Sequence, residues 1–231
     1  GSYAVVATID DTNYSGAASG TLVVQKAAAT VTLGALSQTY TGSALAATAT
    51  TNPADLDVTF SYSADPVNAG TYTATGTINN TNYAGTASDT LTINKAALTA
   101  TLGSLSEKYG ADAPTNAEWA ATLTYSAFAG SDTSSVVDTS SLAVTYNAVV
   151  GNVANYTATP AGLAASNYTI TYATGTLAVT KAAATVTLSD RSQTYDGNPS
   201  PASASAKDSP NNARGGVTIG ITYDGSTTAP T

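Results

Sequence analysis

One short pattern limits what this chain can fold into: a strand ending in an apolar residue, a lysine, two alanines, and at once a second alternating strand. It occurs three times, as Lys26-Ala27-Ala28-Ala29-Thr30-Val31-Thr32-Leu33, Lys95-Ala96-Ala97-Leu98-Thr99-Ala100-Thr101-Leu102 and Lys181-Ala182-Ala183-Ala184-Thr185-Val186-Thr187-Leu188. Thr21-Leu22-Val23-Val24, Thr90-Leu91-Thr92-Ile93 and Thr176-Leu177-Ala178-Val179 precede the lysines. Each copy reads as a joint where one small domain ends and the next begins. The lysines are 69 and 86 residues apart. Self-similarity at such a period is the mark of a repeat architecture.

Further signatures keep step with the joints. Asn13-Tyr14, Asn82-Tyr83 and Asn167-Tyr168 precede strands, and Gln38-Thr39-Tyr40, Glu107-Lys108-Tyr109 and Gln193-Thr194-Tyr195 follow the joint strands. The chain therefore divides into the second half of one β repeat (1–26), a complete repeat (27–95), a complete longer repeat (96–181) and the first half of another (182–231). The extra length of the longer repeat falls in polar segments near 110–119 and 130–141, where insertions are well tolerated.

Within repeats the apolar period is two. Tyr72, Ala74, Gly76 and Ile78 alternate with Thr71, Thr73, Thr75 and Thr77, and Val58, Phe60 and Tyr62 alternate with Thr59 and Ser61. Such alternation specifies strands with one face buried and one wet. Asn52-Pro53-Ala54-Asp55, Asp65-Pro66, Asp196-Gly197-Asn198-Pro199 and Asp224-Gly225 are turn signals. One helix signal is present: Thr115-Asn116-Ala117-Glu118 has capping-box spacing before Trp119. The expectation is an all-β chain of tandem small antiparallel β-sandwich domains, Ig-like, in an extended row. Each has six or seven short strands in less than the about 100 residues usual for such sandwiches. Val31, Leu33, Tyr40, Phe60, Tyr72, Ile78, Tyr83, Leu91 and Ile93 are the expected core of 27–95.

Composition narrows the chemistry. With a net charge of −8 and seven basic residues, the chain cannot neutralise many phosphates, which argues against nucleic acid as a partner. No apolar run approaches the length of a membrane span. There is no Cys, His or Met, so thiolate chemistry, most zinc sites and most nucleophilic triads are excluded. Cysteine-free export fits a bacterial source, and the absence of an initiator Met suggests a mature product or a fragment.

At this point a family resemblance enters. Ser192-Gln193-Thr194-Tyr195-Asp196-Gly197-Asn198-Pro199, Asn68-Ala69-Gly70-Thr71-Tyr72 and Asn94-Lys95-Ala96 resemble bacterial MBG-type repeats. In the longer repeat, Lys108-Tyr109-Gly110-Ala111-Asp112-Ala113-Pro114 and Ser166-Asn167-Tyr168-Thr169-Ile170 resemble their Tyr-Gly variant. The resemblance spans essentially the whole chain and rests on turn and core signatures. It implies tandem modules of large secreted or surface proteins, often adhesin-like: a structural stalk or filament module, extracellular or at the cell surface, with no catalytic residue and no cofactor.

The remaining candidates have two readings each. Asp10-Asp11 and the pair Asp55 and Asp57 read as solvated turn carboxylates, with part of a calcium site as the alternative; no metal or catalytic residue is assigned. Lys26, Lys95 and Lys181 read as solvated linker amines, with Lys–Asn cross-linking as the alternative. Trp119 reads as a core plug, with sugar stacking as the alternative. Asn13, Asn79, Asn155 and Asn167 fit an N-glycosylation pattern, which is usually incidental in bacteria. The threonine row Thr71, Thr73, Thr75 and Thr77 supports a glycan- or ice-binding alternative to the structural role. Finally, joining residue 231 to Gly1 of a following copy gives a lysine spacing of 76, between the two already present. The half-repeat 1–26 is expected to hold strands at 3–9 and 21–24, and 182–231 to hold the strands those two lack, ending at 219–223 and 225–231; the two are therefore expected to form one composite domain between neighbouring copies, head to tail. Those copies are either parts of one polypeptide or separate chains; the alternative is an arbitrary fragment boundary with Gly1-Ser2 as a cloning scar.

Overall fold

The computed structural model describes residues 1–126, 128–208 and 218–230. It is nearly all strand, as the period of two requires. Two compact units are present: 1–100 with 125–141 and 162–171, and 101–124 with 142–161 and 172–231.

The first unit opens on a hairpin, β1 (Ser2–Thr8) and β2 (Ala17–Val23), which among the described residues form a two-stranded sheet of their own. The repeat 27–95 follows with β3 (Ala27–Ala28), β4 (Thr30–Gly34), β5 (Ser37–Thr39), β6 (Thr48–Asn52), β7 (Val58–Tyr62), β8 (Gly70–Ile78), β9 (Tyr83–Ala84) and β10 (Thr86–Asn94). Six are strands of ordinary kind, and two-residue β3 and β9 are the additions to the expected number. The main sheet runs β5-β10-β8-β7, with β5 parallel to β10 and the other pairs antiparallel. A second layer, hairpin β4–β6, lies against it. Its Val31 and Leu33 sit over Gly76 of β8, where an added Cβ would come within 2.9 Å of Leu33 Cδ2.

The alternation places Ala74, Ile78, Leu91 and Ile93 in the interior. Ala47, Ala74 and Leu91 form the centre of the repeat, packed by Leu36, Phe60, Tyr62 and Tyr72. Of the expected core, Val31, Leu33, Phe60, Tyr72 and Tyr83 are only half-buried, because two thin layers cannot enclose side chains that lie at their rims.

The longer repeat comprises β11 (Ala96–Thr101), β12 (Ser104–Lys108), α1 (Asn116–Ala120), β13 (Thr124–Tyr125), β14 (Ala143–Tyr146), β15 (Ala154–Ala161), β16 (Tyr168–Ala173) and β17 (Gly175–Thr180). Its sheets run β13-β11-β16 and β12-β17-β15-β14. The latter repeats the β5-β10-β8-β7 scheme, with β12 parallel to β17. The helix is the one the capping box specifies. Thr115 Oγ1 accepts from Glu118 N, and Glu118 accepts from Thr115 N at 2.7 Å. Those bonds from Thr115 hold the Glu118 carboxyl below its ordinary pKa. Trp119 is wholly buried in the second unit, its Nε1 donating to Tyr146 Oη at 2.9 Å.

The last segment holds one hairpin, β18 (Ala184–Ser189) with β19 (Ser203–Asp208). Strands expected at 219–223 and 225–231 do not form among the described residues. Tyr223 and Ser226 make only an isolated bridge around a turn in which Asp224 and Gly225 both have positive φ; Thr231 lies outside the described residues. The physical reason is the missing neighbour. In the complete repeat the corresponding strand β7 exists by pairing with β8, and among the described residues of 182–230 no strand pairs with 219–223.

Candidate functional site

Three features stand out: the joints between repeats, a hydroxyl-covered sheet face, and the two half-repeats.

At Lys95 strand passes directly into strand, β10 ending at Asn94 and β11 starting at Ala96; at Lys26 and Lys181 three residues separate the strands. After Lys26, β3 pairs in parallel with β9, and Ala27 N and Ala29 N donate to Asn82 O and Ala84 O. The lysine ammonium donates to a backbone carbonyl two residues before the Asn-Tyr pair: Lys26 to Asn80 O at 2.7 Å, and Lys95 to Ala165 O at 3.3 Å. Neither distance is to an asparagine side chain. Asn80 Oδ1 itself accepts from Asn82 N and Tyr83 N.

The joint between 27–95 and 96–181 carries a further clamp, all of it inside the first compact unit. Asn167 Nδ2 donates to Asn68 Oδ1 at 3.0 Å, and its Oδ1 accepts from Ala69 N at 3.0 Å. Beside it, Tyr40 and Tyr168 both donate to Asp132 Oδ2, at 2.9 and 2.7 Å. The two rings meet edge to face at 5.5 Å, and Phe128 packs on Tyr168 at 5.8 Å. Burial foremost, then the Asp132 bond, raises both phenol pKa values. Asp132 was not singled out by sequence, and Asn68 entered only as the first residue of the Asn68-Ala69-Gly70-Thr71-Tyr72 motif, with no partner assigned. Asp132 sits in the 130–141 insertion, which the sequence suggested was merely a tolerated surface loop.

On the sheet of 27–95, Thr71, Thr73, Thr75 and Thr77 lie opposite Thr92, Thr90, Ser88 and Thr86. Thr75 Oγ1 and Ser88 Oγ are 2.7 Å apart, so the rows bond to each other across the strands. Ser61 and Thr59 of β7 extend the array.

The other candidates take simple roles. Asp11 Oδ1 accepts from Asn13 N and Tyr14 N, closing a turn. Asp55 has positive φ, and Asp57 O accepts from Asn79 N. Asp196 Oδ1 accepts from Asn198 N, which lowers its carboxyl pKa. Among the described residues no three acidic side chains converge on one point, and no helix is long and apolar enough to cross a membrane. Trp119 is enclosed and presents no face to a sugar. The Asn167 amide is engaged in the clamp.

The half-repeats are the most unusual surfaces. In 1–26 every residue is exposed, including Tyr3, Val5, Ile9, Leu22 and Val24 on one face. In 182–230 a concavity of about 340 Å³ opens between Gln193, Ala202, Tyr223 and Arg191.

No curated protein matches the chain. The model described as MBG domain matches residues 1–28, 29–97 and 184–231, and the model described as MBG domain (YGX type) matches 98–178. The matched boundaries fall at the Lys-Ala-Ala joints, and the YGX match coincides with the repeat that carries Tyr109-Gly110 and the clamp loop. The chain thus belongs to the MBG domain family, as a short series of its repeats.

Proposed function

We propose that this chain is a structural segment of a bacterial extracellular stalk, adhesin or filament, with no catalytic role, its repeats serving to transmit position and load. The observation that supports this most is the joint. At Lys95 strand runs into strand with a single intervening residue, Lys26 and Lys95 each donate to a carbonyl of the following repeat, and an asparagine pair plus a tyrosine–aspartate–tyrosine cluster reinforce the Lys95 joint. Interfaces meant for a diffusing substrate do not need such ties; modules that must hold their register do.

Force spectroscopy tests this on the whole chain held by its ends. Repeats 27–95 and 96–181 should unfold in separate steps, releasing about 230–250 Å and about 280–310 Å of extended chain. A single gradual extension at low force would overturn the reading. The hydroxyl face of β8 and β10 favours one second reading, a glycan- or surface-binding adhesin module. Binding on a glycan array, lost when Thr73 and Thr75 are changed to Val, would establish it.

A further inference from the structure

The half-repeats carry a more specific message when laid on the complete repeat 27–95. Hairpin β1–β2 matches β8–β10 residue for residue at a spacing of 69. Tyr3 pairs with Leu22 as Tyr72 pairs with Leu91. Ile9 N donates to Gly16 O as Ile78 N donates to Gly85 O. The described residues of 182–230 match β4–β7 at a spacing of 155 as far as Ala202 and of 161 at Tyr223. Gln193 Nε2 donates to Asp190 O and Pro201 O, as Gln38 Nε2 donates to Ala35 O and Ala46 O. Ala202 N donates to Tyr223 Oη at 2.8 Å, as Ala47 N donates to Tyr62 Oη at 2.9 Å. Hairpin β1–β2 thus has the register of β8–β10, and the described part of 182–230 reproduces the β4–β6 pairing and the side-chain bonds of the complete repeat, while its counterparts of β5 and β7 are not yet strand.

We propose that the occupant of both open faces is the complementary half of a second copy of this chain. The inference rests on the structural reading above and specifies how its segments join. Hairpin β1–β2 of one copy inserts between segments 192–194 and 219–223 of the other, restoring the β5-β10-β8-β7 order. The register follows from the complete repeat. Ser192, Gln193 and Thr194 lie in parallel beside Val23, Val24 and Gln25, and Ile219, Ile221 and Tyr223 lie antiparallel opposite Ile9, Ala7 and Val5. Val5 and Leu22 enter the concavity lined by Ala202 and Tyr223, as Ala74 and Leu91 meet Ala47 and Tyr62. Insertion of a strand pair into an open sheet supplies main-chain hydrogen bonds for affinity and side-chain pockets for specificity.

A glycine supports the register independently. A Cβ on Gly85 would overlap the Ala29 carbonyl oxygen, so the complete repeat requires glycine there. Its match in the hairpin is Gly16, where a Cβ would meet only the Ile9 side chain within its own chain. In the composite domain Gly16 faces the Ala184 carbonyl of the second copy. Two positions depart from the template. Arg191 replaces Leu36 and covers the core with its aliphatic stem, and Ala7 replaces Gly76, which Leu188 accommodates by shifting its end.

The chain has no cysteine, so single cysteines report contacts cleanly. Full-length Ala7→Cys and Ile221→Cys chains, mixed and oxidised, should form a disulfide-linked heterodimer, because directly opposed strand residues have the Cα spacing a disulfide needs. Val6→Cys, one residue out of register, should not link to Ile221→Cys. Gly16→Val should abolish linkage and concentration-dependent association, with the melting of 27–181 unchanged. A chain that stays monomeric without linkage overturns the proposal, as does linkage within one chain carrying both cysteines. Association of Gly16→Val chains equal to wild type would overturn the register. None of these outcomes alters the force steps of 27–95 and 96–181, so failure here is distinguishable from failure of the structural reading.

Discussion

Hairpins β1–β2 and β8–β10 are one pattern in two environments, residues 1–26 and 70–95 being identical at 13 of 26 positions. Leu91 is 0 % exposed and its match Leu22 is 54 % exposed; Ile78 is 6 % exposed and Ile9 is 55 %. Register, turn and backbone hydrogen bonds are the same in both. What differs is the company: β8–β10 is flanked by β5 and β7 and covered by β4–β6, whereas β1–β2 has no further strand. Local sequence is thus enough to set a hairpin's pairing. Burial, and with it stability, comes from the rest of the repeat. A lone two-stranded hairpin is marginal in water, and its exposed apolar row is the sort of surface that marks an interaction site.

The comparison breaks most sharply at the paired leucines. Leu91→Asp buries an unpaired carboxylate and should unfold 27–95 outright, a loss of several kcal/mol. Leu22→Asp should leave the thermal transition of 27–95 where it is and act only on association. Far-UV circular dichroism with Trp119 fluorescence, which reports 96–181 alone, separates the two outcomes. If Leu22→Asp also melts 27–95, the two hairpins are not energetically distinct.

The glycines give the next largest contrast. Gly85→Val forces a side chain into the Ala29 carbonyl and should destabilise 27–95 by about 2–4 kcal/mol, as backbone-displacing overpacking does. Gly16→Val should leave the melting of a dilute, monomeric chain unchanged. Equal effects in denaturant melts would remove the distinction that assigns Gly16 its role.

Features that lie within a few residues of one another were readable in the sequence. The period-two alternation gave the strands, Thr115 and Glu118 gave the helix through their capping box, and Asp224-Gly225 gave its turn. The recurrent Lys-Ala-Ala marks where the family-model matches meet. Features that depend on distant residues were not readable. Asp132 serves Tyr40 from 92 positions away, and Asn167 reaches Asn68 across 99, so Asp132 carries no local signature and the motif that contains Asn68 does not reveal its partner. The strand expected at 219–223 failed for the same reason in reverse: its residues have the right pattern, but a strand needs a partner the segment does not contain.

Asp132 tests whether the complete repeats are tied as firmly as their joint implies. Asp132→Ala deprives Tyr40, 6 % exposed, of its acceptor, whereas Tyr168 keeps the bond it accepts from Ala129 N. The expected loss is about 1–3 kcal/mol, the range for hydrogen bonds to charged groups. It should appear in both the 27–95 and 96–181 transitions, since the three residues span the joint. A loss confined to 96–181 would show that the cluster only braces its own loop.

The smallest effect is electrostatic. Tyr40 and Tyr168 have phenol pKa values raised above the ordinary Tyr value, chiefly by burial and next by the bond to Asp132. The raised value means that the folded chain holds its two protons after the unfolded chain has begun to lose them. Their contribution is therefore fully present below the unfolded Tyr pKa of about 10 and is lost as pH rises through the folded values. Tyr195, the match of Tyr40 in the half-repeat, is 79 % exposed and lacks that enclosure. Melting curves taken at rising alkaline pH should show the 27–181 transition falling faster in the wild type than in Tyr40→Phe/Tyr168→Phe, which has no phenol to ionise at the joint. Parallel alkaline slopes for wild type and the double variant would mean that the cluster contributes nothing to the pH response, and that its two hydrogen bonds are the whole of its effect on the joint.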